Sequence, residues 1–478
     1  MLRTAALVVV LLVTGCAAPR QGVIETAPAP RPAPTTDTEA LIRSGCYRCL
    51  EAAFATLDDG ARTSAPLERE AAFQVAALLA LRAKELGLPY SPWVAQASGL
   101  MPPGEEWPLY LEIVAVVRVD PQSGDREDIL NLSIAQRRPE ATVEFWREAL
   151  EQGTASRLFR AYLDLTLACS IGPRQQAIEE AEREFRGEPL IEYRIGTCGS
   201  QSHLAELRAA HPEFVDADLP LGRNALDSGR PDQEEALRRF RAARAAFPES
   251  PVITASIGDV HRDREEWKEA VEAYDATLAL VPTHRDALMG RTVALSNLAR
   301  HDEAIATATR LLELGNWFVG GAYFWRAWNH YNLGNMSAAR ADVDLARSRG
   351  SSAATLVLAG MVAWRQQQLD AAEADFQGAL DVDRGQCEAA SLQGGVRAAR
   401  EKWAEAIESF QHAQQCFDLT IALRHKFIQE INEGPGSPEG KAGQVARHER
   451  AMADAQKNRG DAMQNAAAIQ KRLNPSSR

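Results

Sequence analysis

A repeat of about 34 residues in the second half of the chain constrains its fold more than any other feature of the sequence. Alanines recur there at steps of 33 to 35 residues, at Ala236, Ala270, Ala304, Ala339, Ala372 and Ala406. The fourth residue after each alanine is Phe240, Tyr274, Ala308, Val343, Phe376 or Phe410, and the twelfth before it is Asn224, Gly258, Thr292, Ala327, Gly360 or Gly394. Small residues let antiparallel helices approach closely, and a residue four positions on lies on the same helix face. Because a single helical hairpin cannot bury its apolar face, the period predicts a solenoid of stacked hairpins.

The unit at 251–284 carries this pattern most completely, with Gly258, Ala270, Tyr274 and Pro282. The pattern resembles the consensus of the tetratricopeptide repeat family, and the resemblance extends over residues 216–418. It implies an all-α fold, a right-handed superhelix of antiparallel helix pairs. The units at 285–318 and 320–352 lack the aromatic residue but keep the phase, so we expect six repeats.

The same resemblance implies a site for protein or peptide partners on the concave face, which the first helix of each repeat lines. Carried over to this sequence, that face includes Asp259, Arg262, Asp263, Met289, Val293 and Ser296. The residues that we expect to bind a partner are Asn297, Phe324, Trp328, Tyr331, Asn332, Met361, Trp364 and Arg365. Aromatic residues and arginine are the usual anchors of interfaces. The alternative is that the aromatic residues pack between neighbouring helices as core.

The first 15 residues have the pattern of a lipoprotein signal peptide. Arg3 precedes an apolar run from Ala5 to Val13 that is too short to cross a bilayer. Val13-Thr14-Gly15-Cys16 resembles the bacterial lipobox, so we expect Cys16 to carry the lipid that anchors the protein to a membrane. A plain secretory signal is the alternative. Ala17 follows the cysteine, which in a Gram-negative host resembles outer-membrane sorting and predicts a periplasm-facing protein.

The composition changes on both sides of the repeats. Residues 16–38, with APAPRPAP at 27–34, predict a semi-rigid polyproline spacer, or alternatively a ligand for a proline-binding domain. Residues 39–215 predict irregular helices related to the repeats, among them a buried helix at 73–86, an apolar segment at 109–119 and a helix at 140–150. In the C-terminal region, 419–478, we expect a loop at 434–440 and a polar helix from about Lys441 to Leu473. That helix caps the last hairpin or, alternatively, binds a partner.

Six cysteines remain after Cys16, an even number that in an exported protein predicts three disulfides. The spacing of 29 residues, about one helical hairpin, favours pairing Cys169 with Cys198 and Cys387 with Cys416. Cys46 and Cys49 form a CxxC, which we interpret as a structural pair. A redox-active pair is the alternative.

The charge and the motifs exclude several classes of function. A net charge of -12 argues against nucleic-acid binding, which needs clustered positive charge. The sequence contains neither HExxH nor GxSxG, and its nine histidines are not paired at metal-ligand spacing. We therefore predict no catalytic site, metal, cofactor or small-molecule substrate.

The sequence as a whole predicts a lipid-anchored scaffold or adaptor that binds other proteins or peptides in the bacterial cell envelope. The alternative is an envelope enzyme with its catalytic site in residues 39–215 and the repeats as substrate receptor.

Overall fold

The computed structural model describes residues 38–61, 66–100, 157–171, 174–199, 201–227, 231–315, 319–434 and 438–473. All regular elements in those ranges are helical, as predicted. The N-terminal region contains α1 to α8, which are Thr38–Ser44, Tyr47–Ala61, Pro66–Glu85, Ser91–Leu100, Arg157–Ile171, Arg174–Glu184, Pro189–Cys198 and Gln201–Ala210. A 3₁₀ turn at Val215–Ala217 leads into the repeats.

Six antiparallel helix pairs, called units 1 to 6, form the array. Their helices α9 to α20 are Asp218–Asp227, Gln233–Ala246, Pro251–Asp263, Trp267–Leu280, Arg285–Asn297, His301–Glu313, Val319–Asn332, Met336–Arg349, Ala353–Arg365, Leu369–Val382, Cys387–Ala399 and Trp403–Glu433. Each helix packs against the next along the chain. The predicted right-handed superhelix of antiparallel helix pairs is thereby confirmed. The last helix, α21, is Pro438–Leu473 and packs against α20.

The repeating alanines hold the two helices of each pair in contact. All six are fully buried: Ala236, Ala270, Ala304, Ala339, Ala372 and Ala406. Tyr274 shows how the aromatic position works, because its ring lies against Gly258 of its own unit and Gly290 of the next. A Cβ atom would lie 2.7 Å from the ring at Gly258 and 2.2 Å from it at Gly290, so glycine is needed at both positions.

In unit 1 the small residue that faces the aromatic ring is Gly222 and not Asn224, as the period predicted. A Cβ atom on Gly222 would lie 2.5 Å from the Phe240 ring. Five residues separate α9 from α10, whereas three separate α11 from α12, and these two extra residues shift the spacing by two.

The turn between the two helices of a pair has the same backbone conformation in units 2 to 6. One residue in each turn is left-handed, with φ between 57° and 80°: Glu265, Ala299, Gly334, Gln367 and Glu401. The next residue donates its N–H to the carbonyl five residues back, as Glu266 does to His261 at 2.9 Å. This is the Schellman ending of a helix, which satisfies its last carbonyl groups.

The N-terminal region and the first two units share one hydrophobic core. Phe54 and Leu79 belong to the same buried cluster as Phe159, Phe240 and Ile257. At its edge, the Ser250 hydroxyl caps α11 and donates to the carbonyl oxygen of Leu86. The described irregular helices and the repeats therefore belong to one compact unit.

The structure forms all three predicted disulfides, with Cα–Cα separations of 5.0 Å for Cys46–Cys49, 5.5 Å for Cys169–Cys198 and 5.4 Å for Cys387–Cys416. Cys387 begins α19, and Cys416 lies near the middle of α20, which continues to Glu433.

Several predicted features lie outside the described residues. They are the signal peptide, Cys16, the spacer up to Asp37, the apolar segment at 109–119, the helix at 140–150 and residues 435–437 of the predicted loop. Among the described helices, none is long and apolar enough to cross a membrane.

Candidate partner-binding groove

The candidate groove lies on the first helices of units 3, 4 and 5, which are α13, α15 and α17. Phe324, Trp328 and Tyr331 follow one side of α15. All three are partly buried and pack against a buried cluster formed by Ala327, Ala339, Val343, Leu358, Ala359 and Val362. The aromatic rings therefore fill the space between units 4 and 5, as the core interpretation predicts, and they also present surface to solvent.

The side chains of Trp328, Tyr331 and Arg365 form a continuous surface that is aromatic at one end and positively charged at the other. The rings of Trp328 and Tyr331 stack with their centres 6.3 Å apart and their planes at 27°. The guanidinium of Arg365, from α17, lies 5.5 Å from the centre of the Tyr331 ring, and its Nε donates to the Tyr331 hydroxyl oxygen at 3.4 Å. This arrangement offers an aromatic face beside a positive charge.

Met361 and Trp364 extend the groove towards unit 6. Both are partly buried against the cluster of Ala363, Phe376 and Val396. The Trp364 ring lies so close to Gly395 of α19 that a Cβ atom there would be 2.6 Å from it. On the other side, the Met289 methyl group meets Gly321 of α15. The apolar surface thus continues from unit 3 to unit 6.

Asn297 and Asn332 are exposed at the ends of α13 and α15. Each donates its side-chain amide to its own helix, to Val293 O at 2.9 Å and to Trp328 O at 2.8 Å. An amide has a second N–H and a carbonyl oxygen, so both residues keep hydrogen-bonding capacity for a partner.

Ser296 does not belong to the groove surface, contrary to the expectation from the sequence. It is 6% exposed, and its hydroxyl accepts from Asn329 Nδ2 at 2.6 Å. The Oδ1 atom of Asn329 lies 2.7 Å from His301 Nδ1. This buried network joins units 3 and 4 behind the groove. Its polar groups are paired with one another, since an unpaired polar group in the interior would be costly.

In unit 2 the predicted groove residues form a compact ionic cluster. The Tyr274 hydroxyl donates to Asp259 Oδ1 at 2.7 Å, and Arg262 Nη1 donates to the same oxygen at 2.9 Å. Arg262 also pairs with Asp263 at 3.0 Å. Burial raises the pKa of Asp259, although Arg262 opposes the effect. No pattern in the sequence predicts the hydrogen bond between Asp259 and the aromatic residue of its own repeat.

Comparison with known proteins identifies the repeats. The tetratricopeptide repeat family model matches residues 219–284, 255–316 and 357–418. Units 1 to 3 and units 5 and 6 therefore match tetratricopeptide repeats. Unit 4, at residues 319–349, lies outside the matched ranges and carries the aromatic part of the groove.

Several solved structures resemble parts of this chain. YrrB, described as a protein with an unusual peptide-binding site, has 19% identity and a TM-score of 0.32, with coverage of 37% of this chain and 91% of its own. PilW, a type IV pilus biogenesis factor, has 14% identity and a TM-score of 0.38, with coverage of 42% and 93%. A tetratricopeptide repeat protein from Parabacteroides merdae has 17% identity and a TM-score of 0.37, with coverage of 50% and 97%. No curated protein matches the sequence.

Among the described residues before the repeats, several buried charges lie together. Arg82 pairs with Glu85 and Asp216 and lies 3.6 Å from the centre of the Tyr193 ring, and Arg194 donates to Glu85 at 3.4 Å. The charged side chains are at most 5% exposed. Two cations balance two carboxylates, so the cluster joins α3, α7 and the 3₁₀ turn as a packing network.

The CxxC disulfide is also buried. Cys46 is 3% exposed and Cys49 is 8% exposed, at the start of α2. Thiol exchange requires that a second thiol reach one of the two sulfur atoms. This burial favours the structural interpretation over the redox one.

Proposed function

We propose that this protein is a lipid-anchored scaffold of the bacterial cell envelope that binds proteins or peptides in the groove of units 3 to 5. The observation that carries the proposal is the contact between Tyr331 and Arg365, which places an aromatic stack and a cation from two adjacent units on one accessible surface.

The packing behind the groove makes this surface a suitable anchor for a partner. Trp328 and Tyr331 rest on fully buried residues such as Ala327 and Val343, so their rings are already held in place before binding. These two side chains then lose little conformational entropy when a partner covers them, which lowers the cost of binding.

The disulfides and the N-terminal sequence support the cellular location. Disulfides persist mainly in oxidising compartments, which include the bacterial periplasm. The lipobox pattern that ends at Cys16 would fix the protein to a membrane there. A Cys16→Ser variant should leave the membrane fraction and appear in the soluble periplasmic fraction. Retention of the variant in the membrane fraction would contradict the lipid anchor.

A paired comparison of variants tests the groove. We would compare Tyr331→Ala/Arg365→Ala with Leu345→Ala/Arg349→Ala, in which a leucine and an arginine are removed from the outer helix α16, where both are exposed. Each full-length protein would be solubilised in detergent and used for affinity capture, and circular dichroism would verify its folding. The groove variant should lose an envelope protein that the wild type and the control both capture. Equal capture by both folded variants would exclude the groove as the binding site.

A further inference from the structure

The last two helices are much longer than the helices of the other repeats. Helices in units 2 to 5 have 13 or 14 residues, whereas α20 has 31 and α21 has 36. At 1.5 Å per residue, α20 is about 46 Å long and α21 about 54 Å. Capping the last hairpin needs only a helix of ordinary repeat length.

The two long helices form an antiparallel hairpin along their whole length. Its base lies at unit 6, where Arg472 covers the Trp403 ring at 4.7 Å and Ala455, Ala462 and Ile469 are buried. Further along, Arg424 Nη1 lies 3.1 Å from His448 Nδ1. Close to the tip, Lys441 donates to Asn432 O at 3.2 Å.

The tip of the hairpin contacts units 1 and 2, at the opposite end of the array. Gln444 Nε2 donates to Pro231 O at 3.1 Å, Arg447 Nη2 donates to Gln233 Oε1 at 2.9 Å, and Arg450 Nη2 donates to Glu265 Oε2 at 2.6 Å. The residues in these pairs are 185 to 214 positions apart in the sequence. All three partners lie in or beside the turn between the helices of a unit.

The charges at this contact are complementary. Arg447 and Arg450 face Glu265 and Glu266, and Arg264 is the cation on the same turn that opposes them. The two groups of the Arg450–Glu265 pair are 58% and 44% exposed, so solvent and salt weaken their attraction. The contact therefore joins defined polar partners, and salt weakens the ion pair within it.

The contact closes a circuit of packed elements. Each unit packs against its neighbour from unit 1 to unit 6, and the hairpin returns from unit 6 to units 1 and 2. In an open solenoid, small rotations between neighbouring units add up freely. A closed circuit restricts the total rotation along the array. It therefore also restricts the distances between α13, α15 and α17, which carry the candidate groove.

We propose that the α20–α21 hairpin is a clasp that ties the first two repeats to the last one and sets the curvature of the array. Release of the tip leaves the base of the hairpin on unit 6 and allows the array to open. The effect on partner binding rests on the proposed function of the groove, whereas the clasp itself does not.

Hydrogen–deuterium exchange on the full-length protein in detergent tests the clasp without any partner. The clasp variant is Arg447→Glu/Arg450→Glu. Its control is Lys457→Glu/Lys471→Glu, which makes the same change of charge at two exposed lysines of the same helix. We expect exchange about fivefold faster than wild type at 438–450, 231–233 and 264–266 in the clasp variant only. Residues 453–473 should keep their protection, because they pack on unit 6.

Two further measurements keep the test decisive. Small-angle X-ray scattering should show a larger radius of gyration for the clasp variant than for the control. If the clasp variant fails to fold, the wild type in about 1 M salt should show the same local increase in exchange, because screening then acts over about 3 Å. Unchanged exchange at the tip, in the folded variant or in salt, would overturn the clasp. A variant that loses partner binding but keeps the clasp concerns the groove alone. A variant that loses the clasp but keeps partner binding concerns the clasp alone, so the two proposals can be tested separately.

Discussion

At the scale of single residues, the array depends on packing an aromatic ring of one helix against a glycine of a neighbouring helix. Tyr274 lies between Gly258 and Gly290, and Phe376 and Phe410 lie against Gly360 and Gly394 in the same way. This pairing was visible in the sequence, because glycine and the aromatic residue recur at a fixed distance from the alanine.

A Gly258→Ala substitution should lower the free energy of unfolding by about 1–3 kcal/mol, because the new methyl group would press into the Tyr274 ring. Gly378→Ala is the control, since a Cβ atom there would meet Leu356 at an ordinary 3.6 Å. The control should be neutral or stabilising by up to about 1 kcal/mol, because alanine favours the helix. Urea denaturation followed by circular dichroism measures both, and equal losses would contradict this account of the packing.

Other residues of the array could not be predicted from the sequence. The left-handed turn position is occupied by Glu265, Ala299, Gln367 and Glu401, and only Gly334 is the residue that favours this conformation. Tertiary packing of the helix pair imposes the turn where local preference does not. The prediction that Ser296 lies on the groove surface was wrong, because a periodic pattern cannot reveal that Asn329 of the next unit donates a hydrogen bond to it.

At the scale of the helices, the α20–α21 hairpin contains a group that responds to pH. His448 stacks on Phe427 with ring centres 5.5 Å apart, and its Nδ1 accepts from Arg424 at 3.1 Å, which requires the neutral ring. Burial lowers the pKa of His448, and the charges of Arg424 and Arg447 add to the effect. Protonation is therefore easier in the unfolded chain than in the folded hairpin.

The stability contributed by this contact should be fully present above the ordinary histidine pKa of about 6.5 and should fall as the pH drops below it. Hydrogen exchange at 420–430 and 444–452 should thus become faster as the pH falls from about 6.5 to about 5.5, after correction for the intrinsic rate. A His448→Phe variant keeps the stacking but cannot titrate. It should show less acceleration over the same range, and an identical pH response would exclude His448 as the cause.

The disulfide between α19 and α20 makes a separate contribution at this scale. It closes a loop of 29 residues at the base of the hairpin, so a Cys387→Ser/Cys416→Ser variant should lose about 3–4 kcal/mol of stability. Cys46→Ser/Cys49→Ser is the comparison, with a sequence separation of only 3 residues and a smaller expected loss. Thermal unfolding with and without reductant measures both. A wild-type protein that is insensitive to reductant would contradict the assignment.

At the scale of the whole molecule, the sequence predicted the class of fold, but it did not predict the contacts between distant parts of the chain. The period of the second half was sufficient for the repeats, since each unit contacts mainly its neighbours. The core that Leu79 and Phe159 share with Phe240 and Ile257 was not visible, because residues 39–215 have no regular period. The return of α21 to units 1 and 2 was hidden for a related reason, since three polar contacts over about 200 residues leave no pattern.

We propose that partners bind on the surface formed by the first helices of units 3 to 5. Site-specific photo-crosslinking in the native host tests this proposal, with the reactive residue at position 332 beside the Trp328–Tyr331 stack or at position 345 on the outer helix. We predict one discrete envelope adduct from position 332, none from position 345, and loss of the first adduct when Tyr331→Ala/Arg365→Ala is added. The same adducts from both positions, or an adduct at 332 that survives the double substitution, would contradict the claim.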